Sequence, residues 1–260
     1  MTRTLIVPAA GVGSRLGLPM PKLLVPVLGR PMIDHLFGLY ESYVDQVVLV
    51  LNPGHGDAVR EHLEGAGRRV DIVWQLKPTG MLDAVLLAGE VMDAAAQGAV
   101  WITWCDQVAV HPATVQTLAA QPLGGQGADL IFPTAQRRYP YIHLVRSASG
   151  EITRISHRRE GDTMPEVGES DTGLFALSRR AYTQLLPVFA REVEAGQATR
   201  ERNFLPFIPW LAGKAVVRTF PCLEEIESVG INTPEDLLRV ERSLAARAGL
   251  REGPQAFRQT

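Results

Sequence analysis

Short apolar runs alternate with amphipathic segments along the first 120 residues of the chain. Nearly continuous apolar runs are typical of strands covered on both faces, and four such runs lie at residues 4–8, 46–51, 70–75 and 99–104. Apolar positions at helical spacing predict helices beside these strands, near residues 31–42, 55–65, 80–95 and 112–120. This β-α-β-α order predicts a parallel sheet with right-handed crossover helices.

The pattern changes at about residue 134, where polar residues and short strands replace the long helices. Further strands are predicted at residues 128–133, 142–146, 151–156, 171–177 and 215–220. We interpret residues 134–170 as a small antiparallel insertion or lid.

A helix is predicted from about residue 178, and a last helix starts at Thr233 and runs to about Ala248. We expect residues 1–250 to form a single domain and residues 251–260 to form a polar tail. The expected fold class is a Rossmann-like three-layer α/β/α fold with a mixed, mostly parallel central sheet.

Composition argues against a nucleic-acid-binding or membrane-spanning protein. The 260 residues carry a formal net charge of −2, and 46% of them are hydrophobic, which is ordinary for a globular protein. The balance of charge predicts no nucleic-acid partner, and no apolar run approaches the ~20 residues that span a bilayer. The two cysteines and the lack of a signal-peptide pattern favour a cytoplasmic protein. The oligomeric state stays open, a homo-oligomer included.

The amino-terminal loop carries the strongest candidate chemistry. A short apolar strand runs into Gly11 and Gly13, and Arg15 and Lys22 follow. Glycines let backbone N–H groups approach phosphate oxygens, and the two side chains supply positive charge. This spacing favours a loop that wraps a nucleoside triphosphate over an ordinary strand-to-helix turn.

Three later positions extend this interpretation. Gln75 ends a strand and Gly80 opens a helix, an arrangement that can bind a base edge beyond the sheet. Asp106 follows an apolar strand directly, where a carboxylate suits Mg²⁺, and Asn232 offers an amide oxygen as a second ligand. The alternatives are a polar loop, a turn aspartate and a turn asparagine.

Together these pieces resemble the sugar-1-phosphate nucleotidyltransferases, also called nucleotide-sugar pyrophosphorylases. The resemblance covers most of residues 4–240 and rests mainly on the opening Gly-x-Gly-x-Arg and Pro-Lys pattern. It implies a set of nucleotide contacts, which are Ala10, Gly11, Gly13, Arg15, Lys22, Gln75 and Gly80.

The resemblance also implies the reaction. A sugar phosphate attacks the α-phosphorus of a nucleoside triphosphate, with UTP or dTTP favoured, and pyrophosphate leaves. Arg15 would hold the β- and γ-phosphates, and Lys22 would bridge the α-phosphate and the incoming phosphate. Mg²⁺ held by Asp106 and Asn232 would neutralise the developing charge, so Arg15, Lys22 and Asp106 are the expected catalytic residues.

The acceptor side departs from the family pattern. The Glu-Lys pair that touches sugar and sugar phosphate in the family would fall near His157 and Arg158, and Asp171 stands where the family has asparagine. Our predicted sugar-phosphate contacts are Tyr141, His157, Arg158, Glu169 and Asp171. A solvated charged hairpin is the alternative for residues 157–162.

Other functions stay open on the sequence. A Rossmann dehydrogenase would need a third glycine opening a helix, but Pro19 and Pro21 prevent an immediate helix. A glycosyltransferase would usually carry Asp-x-Asp where this chain has Cys-Asp-Gln. A catalytically silent nucleotide-sugar sensor, or a cytidylyl- or guanylyltransferase that acts on a non-sugar phosphate, remains an alternative.

Overall fold

A computed structural model describes residues 2–11, 16–18, 20–92 and 98–250 of the protein. Predictions for Gly13, Arg15 and the tail at 251–260 fall outside these residues. The strands are β1 (Arg3–Ala9), β2 (Pro26–Val27), β3 (Arg30–Pro31), β4 (Gln46–Leu51), β5 (Asp71–Trp74), β6 (Ala99–Thr103), β7 (Leu130–Arg138), β8 (Ile142–Arg146), β9 (Ile152–His157), β10 (Val167–Asp171), β11 (Leu174–Leu177) and β12 (Val217–Pro221). The α-helices are α1 (Met32–Tyr40), α2 (Pro53–Gly65), α3 (Met81–Leu87), α4 (Pro112–Ala119), α5 (Leu186–Glu192), α6 (Phe207–Ala212) and α7 (Pro234–Arg247).

The central sheet has eight strands in the order β10-β7-β11-β6-β1-β4-β5, with β12 pairing parallel to β7. Strands β6, β1, β4 and β5 are parallel to one another, and β11 joins them antiparallel to β6. The mixed, mostly parallel α/β sheet expected from the alternating runs is therefore confirmed. The carboxyl ends of β1, β4 and β6 share one edge, where a doubly wound sheet binds ligands.

Strand β1 shows why the sheet is covered on both faces. Leu5 and Val7 pack into the core beneath α1, α2, α4 and α7, whereas Ile6 packs into the core beneath α3, α5 and α6. Successive side chains of a strand point to opposite faces, so a continuous apolar run supplies both cores. Among the described residues, every helix is too short or too polar to span a bilayer.

Several elements differ from the sequence-based expectation. The strand expected at 171–177 is broken, because Gly173 has φ +69° and its N–H donates to the Asp171 carboxylate in a turn. The helix expected at 80–95 is α-helical only to Leu87 and continues as a 3₁₀ turn to Glu90. Helix α6 and the β2–β3 hairpin were not expected.

The segment 134–170 is divided between two sheets. Residues 134–138 of β7 pair antiparallel with β10 in the central sheet, whereas β8 and β9 form a separate two-stranded hairpin. Strand β9 of that hairpin ends at His157, and Arg158 opens a 3₁₀ turn directly after it. These two predicted acceptor residues therefore lie at the end of the small sheet.

Candidate active site

Lys22, Asp106 and Asn232 meet at the carboxyl edge of the central sheet. Lys22 opens a 3₁₀ turn after Pro21, and Asp106 follows the end of β6. The Lys22 Nζ donates to Asp106 Oδ2 at 2.5 Å and to Asn232 Oδ1 at 3.0 Å. The Lys22 and Asp106 side chains are only 12% and 13% exposed, so this ion pair is largely shielded from water.

The start of helix α7 fixes Asn232 at this position. Thr233 and Asp236 form a capping box, and the Asp236 carboxylate also accepts from the backbone N–H of Asn232 at 3.1 Å. Just before it, the N–H of Ile231 donates to the backbone oxygen of Asp106 at 3.2 Å. A Cβ on Gly230 would lie 2.9 Å from Asp106 Oδ1, so glycine lets this segment approach the carboxylate.

The oxygen pair of Asp106 and Asn232 fits a hard divalent cation. A carboxylate and an amide oxygen are ligands of the kind that Mg²⁺ takes, and the Lys22 ammonium already stands as a cation between them. Within the described residues no group of three His, Cys, Asp or Glu side chains forms a metal cluster. Mg²⁺ would therefore draw its other ligands from water and substrate phosphates, as is usual for this ion.

A cleft opens beside Lys22 between the ends of β1 and β4. About 300 Å³ of space, part of it open solvent, lies along its walls. Its lining is Ala9, Gly11, Pro21, Lys22, Leu23, Leu51, Asn52, Gly56 and Val59. Gly11 and Lys22, two of the predicted nucleotide contacts, thus border one cleft. Ala10, which precedes Gly11 in the chain, is buried.

Gln75 and Gly80 form a compact turn after β5. The buried Gln75 amide donates to the backbone oxygen of Gly80 at 3.1 Å and to Thr79 Oγ1 at 3.3 Å. Gly80 has φ +121°, and a Cβ there would lie 2.4 Å from the backbone oxygen of Arg202. Internal packing therefore accounts for this glycine without reference to a base, and base binding stays a prediction.

On the acceptor side, Glu169 and Asp171 both make bonds within the protein. Arg146 donates to both Glu169 carboxylate oxygens at 2.7 Å and to Thr219 Oγ1 at 2.8 Å. Burial opposes ionisation of Glu169, but the hydrogen bonds from Arg146 lower its pKa. Asp171 accepts from Gly173 N at 2.7 Å, and burial raises the pKa of Asp171 to about 6.

Tyr141, His157 and Arg158 form a second group. The Tyr141 ring meets the His157 ring edge-on, with centroids 5.3 Å apart. The backbone N–H of Arg158 donates to Tyr141 O at 3.1 Å, and its guanidinium donates to Pro140 O at 3.1 Å. Burial lowers the pKa of His157, so the imidazole is held in its neutral form at neutral pH.

Two residues of this region, Arg137 and Asn203, were not expected from the sequence. Arg137 donates from Nη1 to Ser228 O at 3.0 Å, and its Nε is buried with no hydrogen-bond partner among the described residues. Asn203 bonds to His157 across 46 positions of sequence. Neither contact leaves a local pattern in the sequence.

Comparison with known proteins gives a family match. A model described as the MobA-like NTP transferase domain matches residues 5–171. The chain is 26% identical over 253 residues to bifunctional protein GlmU of Staphylococcus saprophyticus, which covers 95% of this chain and 54% of that protein. The corresponding protein of Thermus thermophilus is 28% identical over 249 residues, which covers 93% and 52%. The chain thus spans about half the length of the curated relatives it matches.

Two solved structures share the fold. The inositol-1-phosphate CTP transferase from T. maritima superposes with a TM-score of 0.67 at 15% identity, covering 96% of this chain and 98% of that one. HddC from Yersinia pseudotuberculosis has a TM-score of 0.65 at 18% identity, covering 94% and 100%. At these identities the likeness is one of fold.

Proposed function

Because the chain belongs to the MobA-like NTP transferase family, we propose that it transfers a nucleoside monophosphate from a nucleoside triphosphate to a small phosphorylated acceptor. UTP or dTTP is the favoured donor, and a sugar 1-phosphate is the favoured acceptor. The observation that carries the proposal is the convergence of Lys22, Asp106 and Asn232 at the ligand-binding edge of the sheet.

In this proposal a phosphate oxygen of the acceptor attacks the α-phosphorus, and pyrophosphate leaves with the electron pair of the broken P–O bond. The protein contributes positioning and charge, because phosphoryl transfer asks for little covalent chemistry from side chains. Lys22 holds the α-phosphate and the incoming phosphate, and Arg15 holds the β- and γ-phosphates. Backbone N–H groups of the loop from Ala10 through Gly13 approach the phosphates.

Asp106 and Asn232 are the residues that would hold Mg²⁺. When bound, the ion neutralises charge on the transferred phosphoryl group. Removing one such stabiliser typically lowers the rate by about 10²–10³-fold. We therefore expect Asp106→Ala and Lys22→Ala each to lose most turnover.

The proposed base contacts are Gln75 and Gly80. The proposed acceptor contacts are Tyr141, His157, Arg158, Glu169 and Asp171. The bonds of Glu169 to Arg146 and of Asp171 to Gly173 give these two carboxylates structural duties as well. Tyr141, His157 and Arg158 are therefore the better candidates for direct contact.

A pyrophosphate-release screen tests the proposal. UTP, dTTP, CTP and GTP are each combined with a panel of hexose, amino-sugar and cyclitol phosphates, with Mg²⁺ present. Asp106→Asn should abolish release, whereas Asp57→Asn should not, because Asp57 forms an exposed ion pair with Arg60. Near-wild-type release from the Asp106 variant would contradict the proposed role.

The silent-sensor alternative gives a different outcome. A catalytic protein exchanges labelled pyrophosphate into a nucleoside triphosphate in the presence of a nucleoside diphosphate sugar. A sensor binds the same sugar nucleotide but shows no exchange. Measuring both binding and exchange on one preparation separates the two functions.

A further inference from the structure

The segment Arg202–Phe204 connects three separate parts of the candidate site. The Arg202 backbone donates from its N–H to Thr79 O at 2.8 Å, beside the Gly80 turn. The Phe204 ring lies edge-on to Trp104, with centroids 5.9 Å apart, two residues before Asp106. Asn203, between them, reaches His157 on the acceptor side. The position of His157 is thus tied to the Gly80 turn and to the end of β6.

The backbone determines which way the Asn203 amide points. The N–H of Leu205 lies 3.1 Å from Asn203 Oδ1. A backbone N–H can only donate, so the atom facing it must be the amide oxygen. The amide nitrogen Nδ2 therefore faces His157 Nδ1, at 3.0 Å.

This orientation assigns the proton of the imidazole. An amide nitrogen can only donate, so His157 Nδ1 must be the acceptor and the ring proton must lie on Nε2. A proton on Nδ1 would place two hydrogen-bond donors, the ring N–H and the amide N–H, against each other. The doubly protonated ring also carries a proton on Nδ1 and is disfavoured for the same reason.

The charged groups around the ring do not reverse this assignment. Burial is the largest influence and lowers the pKa of His157, and Arg159 acts in the same direction. Glu160 and Asp162 act in the opposite direction. The Asp162 carboxylate accepts from the backbone N–H of His157 at 2.7 Å, and Glu160 is engaged by Thr199 Oγ1 at 2.5 Å.

We propose that Asn203 is a positioning residue that holds His157 as the neutral Nε2–H tautomer. The acceptor subsite then presents a neutral hydrogen-bond donor, which suits a hydroxyl oxygen of a polyhydroxylated acceptor phosphate. The role of the ring toward the acceptor rests on the proposed function, whereas its tautomer does not.

Nuclear magnetic resonance on the full chain tests the tautomer. Two-bond ¹H–¹⁵N correlations of ¹⁵N-histidine protein report which ring nitrogen carries the proton, and a His157→Gln variant identifies the signal. We expect Nε2–H in the wild type at pH 7.5. In Asn203→Asp one carboxylate oxygen still accepts from Leu205 while the other faces Nδ1, so the fold is kept and the proton moves to Nδ1.

The pKa of His157 should rise in Asn203→Asp, because a carboxylate replaces the donor that faces Nδ1. The signals of the other histidines should titrate as in the wild type and serve as the internal control. A wild-type signal with Nδ1–H, or an unchanged tautomer and pKa in the variant, would overturn the proposal.

Kinetics test the link to the acceptor. Asn203→Asp should raise KM for the acceptor about tenfold, as expected for one misplaced hydrogen bond, with KM for the triphosphate nearly unchanged. An active variant with unchanged acceptor KM would overturn the positioning role. If the wild type releases no pyrophosphate with any substrate pair, the proposed function fails, and the tautomer result stands on its own.

Discussion

Replacing Lys22 with methionine should destabilise the protein when no divalent cation is present. Methionine keeps the volume of the side chain but removes the ammonium that bonds Asp106 at 2.5 Å and Asn232 at 3.0 Å. A largely buried carboxylate then loses its counter-charge, which costs about 3–5 kcal/mol at fully buried sites. Because this site opens onto a cleft that admits water, we expect a cost of about 2–3 kcal/mol here. For a chain of this size that lowers Tm by about 5–10 °C.

Magnesium should reverse the loss. In the Lys22→Met variant a divalent cation can take the place of the ammonium beside Asp106 and Asn232. Ligand binding to the folded state stabilises it by about 2.7 kcal/mol at a hundredfold excess over Kd. Thermal melts followed by circular dichroism, first in EDTA and then with increasing Mg²⁺ or Mn²⁺, measure both effects. The wild type should gain less, because the ammonium competes for the same oxygens.

Two controls separate the ion pair from a general effect of losing a lysine. Lys77→Met removes an exposed lysine and should leave Tm nearly unchanged. Adding Asp106→Asn to Lys22→Met should recover part of the lost stability, since the unpaired charge is gone. A Lys22→Met variant that melts like the wild type in EDTA, or whose Tm divalent cations do not raise, would refute the stabilising role of this ion pair.

Three further changes have expected outcomes that urea denaturation can measure. Gly80→Ala should lower the free energy of unfolding by about 3 kcal/mol or more, because the new Cβ would clash with the Arg202 backbone. Gly150→Ala, where φ is +88° but the space is open, should lower it by only about 1 kcal/mol. Asp171→Asn should stabilise the protein by about 3 kcal/mol at pH 8, since burial raises the pKa of Asp171 from 3.8 to about 6. Glu169→Gln should cost about 1–2 kcal/mol by weakening a partly buried bidentate pair.

The sign of the Asp171 effect follows from its raised pKa. The protonated form favours the fold fully below pH 3.8, and that stability is lost as the pH rises through about 6. The advantage of Asp171→Asn should therefore shrink as the pH falls toward 4. A variant less stable than the wild type at pH 8 would show that the carboxylate is needed. Equal losses of stability for Gly80→Ala and Gly150→Ala would contradict the expected clash at Gly80. An unchanged free energy of unfolding for Glu169→Gln would contradict the expected contribution of its bond to Arg146.

Much of the fold could be predicted because the strands are long apolar runs. In the run 46–51 the last four residues are buried and the first two are partly buried. An apolar run of this length predicts a strand whatever the side chains that pack around it. The break at Gly173 could not be seen, because it depends on a side-chain turn from Asp171 within an otherwise strand-like stretch. Helix α6 was missed because its six residues are too few to establish a period.

The family was predictable and is confirmed, whereas the individual site residues remain predictions. The residues of the motif around Lys22 are close together in the chain, so a phosphate-binding loop can be predicted from the sequence. Asn203 was not predictable, because its role depends on a bond to His157 that only the folded chain creates. The pairing of Glu169 with Arg146 is likewise set by the register of neighbouring strands.

The bond between Lys22 and Asn232 joins positions 210 residues apart. At roughly 5–20 residues per second, a ribosome needs on the order of 10–40 s to make the chain between them. A nascent chain that has not passed residue 232 can form the β1–β4 pairing, but it lacks Asn232 Oδ1, which accepts a hydrogen bond from the Lys22 ammonium. The candidate centre therefore matures late in synthesis, and a translation product cut short before helix α7 would carry the nucleotide loop without the amide oxygen of Asn232.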